Sequence, residues 1–144
     1  MAHVRFSSMG LLDTYRQKLL KSIAHLEYSQ KKVRKLPFHL AQLDEESLET
    51  WESFSARFSR VADLFLSKYL RLYVESQEPG FRGTFIDYLN QAEKMGLIQQ
   101  TELWIEIRKL RNVTAHEYNE EAFDDYIQHI FKLSDDLIAL KGIL

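Results

Sequence analysis

Apolar residues recur at helical spacing along most of this chain. Between residues 11 and 35, Leu12, Tyr15, Leu19, Ile23, Leu26 and Val33 fall on one helical face, a stripe broken only at Gln30. Pro37 should end that helix, because its ring lacks an N–H and clashes with the turn before it. Asp44 is placed to cap a longer second helix with Trp51, Phe54, Phe58, Val61, Phe65, Tyr69 and Leu72 inward, until Pro79-Gly80 stops it. A third helix over about 81–95 turns Phe81, Phe85, Tyr88, Leu89 and Ala92 inward, and Gly96 follows where a left-handed C-terminal cap is wanted. A fourth covers about 99–117, and a fifth begins near Asn119 with Phe123, Tyr126, Ile130, Leu133, Leu137 and Leu140 on one stripe.

No useful stretch alternates as a strand would, so the expected fold is all-α: an antiparallel up-and-down bundle of four long helices with a shorter fifth beside it. A chain of 144 residues, 45% apolar, forms one domain and buries about two-thirds of its unfolded surface. Residues 1–9 carry no helical stripe and are set aside as an extension, with Met9 as an alternative start.

Charge changes this picture locally. The net charge is −2, yet Thr14 to Leu36 holds seven basic residues (Arg16, Lys18, Lys21, Lys31, Lys32, Arg34 and Lys35) against Glu27 alone, a surface suited to phosphate. The acids Asp44, Glu45, Glu46, Glu120, Glu121, Asp124 and Asp125 fall at helix starts, where they complement the dipole. With no cysteine there is no disulfide framework and no Cys-type zinc site. No apolar run approaches the roughly 18 residues of a membrane span, so a cytoplasmic location without membrane contact is expected. His25, His39 and His129 have no metal-ligand spacing, and neither a metal nor a cofactor is expected.

The fourth helix has two faces to satisfy. Leu103, Ile107, Leu110 and Thr114 face the bundle, while Trp104, Arg108, Arg111, Ala115 and Tyr118 form a second stripe, read as the surface of a two-fold dimer or ligand cleft. Arg111 and Tyr118 are roughly 20° from eclipsed on a regular helix, whereas His116 is about 140° from Arg111. A shared site therefore needs the helix to end or bend near residues 114–117, or His116 from a second subunit. An arginine and a histidine meeting at one phosphodiester suffice for metal-free RNA cleavage. Imidazole moves a proton at the 2′-hydroxyl, guanidinium stabilises the phosphorane, and Asn112 orients either group.

The run Arg111-Asn112-x4-His116-x-Tyr118 resembles the RN-x4-H-x-Y signature of the HEPN superfamily, and of its HepT toxins in particular. The surrounding Gly96-Leu97-Ile98, Glu102-Leu103-Trp104 and Tyr118-Asn119-Glu120 are similar to its branch of nucleotidyltransferase substrate-binding proteins. The resemblance implies a homodimeric bundle that cuts RNA, tRNA among the candidates, with Arg111, Asn112 and His116 as catalytic residues. It implies as partner a cognate minimal nucleotidyltransferase, the antitoxin, which transfers AMP to Tyr118 and so silences the nuclease. The alternative it leaves open is a non-catalytic subunit that binds a nucleotidyltransferase as acceptor.

Overall fold

The computed structural model describes residues 2–111 and 119–144, with side chains from Gly10 onward. Its helices are α1 (Ala2–Val33), α2 (Glu45–Asp63), α3 (Leu70–Gln77), α4 (Phe85–Lys94), α5 (Thr101–Arg111) and α6 (Glu120–Ile138). A π-helical segment, Leu64–Tyr69, joins α2 to α3 without a break, so the described residues form five helical rods in one all-α bundle, as the periodicity predicts. The first rod is longer than its stripe: it begins at Ala2, upstream of the first apolar position that the pattern detects.

The helix ends follow local chemistry. Asp44 accepts from the Ser47 amide at 2.8 Å, and Asn119 accepts from the Ala122 amide at 2.8 Å, so each side chain satisfies a backbone donor of a first turn. Thr84 and Asp87 form a reciprocal capping box at the start of α4. Gly96 takes φ 79° after α4, the left-handed conformation expected there.

The core is continuous across the bundle. α1 packs along α2 and against α6, α2 also meets α5 and α6, and α4 lies against α3 and α5. Leu19, Ile23, Leu26, Trp51, Phe54, Phe58, Phe65 and Ile130 are wholly buried, each large apolar side chain contributing about 1.5–3 kcal/mol of transfer free energy. Gln30 does not break the α1 stripe but lies within it. It is buried and donates through Nε2 to Ser134 Oγ at 2.9 Å and to Asp135 Oδ1 at 2.7 Å, which ties α1 to α6. The loop after α1 is held similarly: Trp51 Nε1 donates to the Pro37 carbonyl at 3.0 Å, and Asp124 accepts from the Leu40 amide at 2.7 Å. Asp124 thus fastens a loop from α6 rather than only complementing a helix dipole.

The π segment alters the long rod. The Leu70 amide bonds to the Phe65 carbonyl, an i→i+5 closure that inserts one residue and turns the remainder of the rod by about 100°. Leu70 and Val74 are therefore the buried residues beyond Tyr69, and Leu72, expected inward from the uninterrupted period, is only partly buried.

Candidate functional site

Arg111 is the last described residue of α5, and it faces the end of α2 just before the π segment. Its Nη1 donates to Asp63 Oδ1 in an ion pair across from α2. Asp63 is the last residue before the π segment and accepts a second bond there, from Ser67 Oγ at 3.1 Å. Ser59, one turn earlier, lies within 3.5 Å of the Arg111 carbonyl. The side chains of Arg111 and Asp63 are 24% and 48% exposed, so the guanidinium is oriented by a carboxylate yet still open to solvent. An arginine has five N–H donors in a fixed fork, enough to hold a carboxylate and a phosphate together. π-Helical turns recur at functional sites because they aim side chains that a regular helix would not.

The remainder of the second α5 stripe differs from the expectation. Trp104 is not part of an open dimer or cleft face: it is 5% exposed, with its ring 4.8 Å from Phe65 in the protein's own core. The reason is that α5 packs against α2, α4 and α6 together, so an aromatic on either stripe meets a neighbouring helix. Arg108 stays exposed but lies over the Phe85 ring at 3.9 Å, a cation–π contact with α4. Asn112, Ala115, His116 and Tyr118 lie outside the described residues; of the signature, Arg111 is described, and it meets Asp63, a residue outside the predicted set. Among the described residues, no cluster of three His, Asp or Glu side chains is arranged to hold a metal ion.

Asp63, Ser59 and Ser67 did not emerge from the sequence. The available signal was a polar row at intervals of four inside a rod whose other faces are apolar or charged. Nothing local distinguishes it from an ordinary solvated row. Only the position of α5 shows that it faces an arginine.

Other charged groups support the frame. Hydrogen bonding to the Tyr69 oxygen, foremost, holds the Arg16 guanidinium above its ordinary pKa, joining α1 to the end of the π segment. Burial, aided by the neighbouring Asp135 carboxylate, pushes the Asp136 carboxyl up; it lines a groove of about 270 Å³ beside Gly96–Gln100. His39 Nδ1 is 3.2 Å from Asp124 Oδ2, and His129 is 3.7 Å from Glu106, so both histidines serve local surface pairs.

The described residues form an all-α bundle in which the arginine that ends α5 is braced by a carboxylate on the long rod. Over residues 16–140 the chain matches the family described as "Nucleotidyltransferase substrate binding protein like", and it belongs to that family. No match was found among curated proteins or among solved structures.

Proposed function

We propose that this protein is a metal-independent endoribonuclease toxin acting beside a nucleotidyltransferase antitoxin in the cytoplasm. Arg111 and His116 act on the phosphodiester, Asn112 orients them, and the partner silences the site by AMP transfer to Tyr118. The observation that carries this reading is the Asp63–Arg111 pair at the π segment: it holds the signature arginine in one orientation while leaving part of it accessible. Family membership supports the nucleotidyltransferase partner. A homodimer that pools Arg111 and His116 from two subunits removes the angular separation of about 140° that a single regular helix would impose. An adenylyl group on Tyr118 would bring a second anion to the same guanidinium and so compete with RNA.

The net charge of −2 favours a second reading, a non-catalytic acceptor or specificity subunit, because phosphate neutralisation dominates affinity for long RNA. Unmodified protein and its His116→Ala variant are incubated with total small RNA in the presence of a chelator, and the products are resolved on a denaturing gel. Cleavage by wild type alone is expected. Absence of cleavage by folded, unmodified wild type, together with complex formation with the nucleotidyltransferase, would establish the second reading instead.

A further inference from the structure

A second polar site lies between α1 and α2. A pocket of about 160 Å³ is lined by Tyr28, Ser29, Lys32, Glu49, Thr50, Ser53 and Arg57. Tyr28 is 62% exposed, unusual for a large aromatic ring in a bundle that buries its other described aromatic rings in whole or in part. Lys32 Nζ lies 5.7 Å from the ring centroid and the Arg57 guanidinium carbon 5.9 Å, so cations from two helices flank one accessible ring.

Arg57 is fixed in place. Its Nη1 donates to Ser29 Oγ at 2.7 Å and to the His25 carbonyl at 3.1 Å. Ser29 is buried, so one acceptor of this anchor is itself held inside the bundle. Among the described residues, no acceptor takes the Nη2 or Nε donors of Arg57, and neither Arg57 nor Lys32 pairs with a carboxylate. Two unneutralised cations, a preset guanidinium, hydroxyls on Thr50 and Ser53 and an open aromatic ring are the elements that grip a single-stranded nucleic acid.

We infer that this pocket docks single-stranded RNA, with one base against Tyr28 and the adjoining phosphate taken by Lys32 and Arg57. The volume fits a phosphate with its water but not a whole nucleotide, so the base lies outside, on the exposed ring. An acidic peptide would use the cations but leave the ring without a partner. The choice of RNA rests on the nuclease reading above; the pocket is separate from the Arg111 site, since Arg57 precedes Asp63 by six residues, about 9 Å along the helix.

The test uses fluorescence anisotropy in a His116→Ala background, so that nothing is cut, with a labelled single-stranded RNA of about ten nucleotides. Tyr28→Ala should weaken binding about tenfold, and Tyr28→Trp should retain it. Lys32→Glu should weaken binding and flatten its salt dependence, by roughly 0.7 in logarithmic slope for each phosphate no longer neutralised. Both residues are exposed, and circular dichroism checks that each variant is folded. Unchanged affinity in folded Tyr28→Ala and Lys32→Glu would overturn the inference, as would equal competition by polyglutamate. Cleavage that survives in those variants while Arg111→Ala abolishes it would leave the nuclease reading intact. Tyr28-dependent binding by a protein that never cleaves would do the reverse.

Discussion

Truncating Gln30 tests how the first and last helices are joined. Gln30→Ala removes a bond to Ser134 Oγ at 2.9 Å and one to Asp135 Oδ1 at 2.7 Å, from a side chain 6% exposed. The neutral bond contributes about 1 kcal/mol and the bond to the carboxylate about 1.5–3 kcal/mol. Ser134 keeps a role for its own proton, because Ser134 Oγ donates to the Phe131 carbonyl at 2.6 Å, and the exposed Asp135 turns to water. The loss is therefore expected at about 2–4 kcal/mol, including the small cavity left. For a chain of this size that lowers Tm by roughly 5–15 °C. Gln30→Leu, which refills the volume but not the bonds, should cost about half as much. Urea unfolding followed by circular dichroism measures both, and the Gln30→Ala/Ser134→Ala cycle should return a coupling of about 0.5–1.5 kcal/mol. A Gln30→Leu protein more stable than wild type would refute the reasoning, since the amide would then be only a defect in an apolar stripe.

At the candidate site, Asp63→Ala should change stability by no more than about 1 kcal/mol, because the ion pair is partly exposed. RNA cleavage should nevertheless fall by about 10²-fold as Arg111 loses its orientation, with Asp63→Asn falling between; equal activity in all three proteins would remove Asp63 from the site. Asp136→Asn should raise Tm at neutral pH. Its carboxyl is pushed above the ordinary 3.8 in the folded state, so ionisation costs stability as pH rises past that value, and the gain should vanish below it, as a Tm series against pH will show. Gly83→Ala should destabilise the start of α4 by about 1–2 kcal/mol, because a Cβ there would sit 2.6 Å from Asp87 Cβ and disturb the capping box. Unfolding that matches wild type would show that the box shifts without cost.

The sequence by itself determined the helical class, most rod boundaries and much of the core. Each of these depends on interactions within a few residues: apolar spacing of three and four, side-chain caps at Asp44 and Asn119, a left-handed Gly96, and prolines that end helices. It also marked Arg111 and the signature around it. The tertiary structure decided how the helices meet. Trp104 reads as surface along α5 alone but is core because three helices surround that position. Gln30 reads as a flaw in α1 but is a link because Ser134 and Asp135 arrive from α6. Leu72 and Leu70 exchange roles because one π turn, invisible in the periodicity, rotates the end of the long rod. Asp63 meets Arg111, and Arg57 meets Tyr28, across sequence separations at which no local period operates; only packing sets which side chains converge.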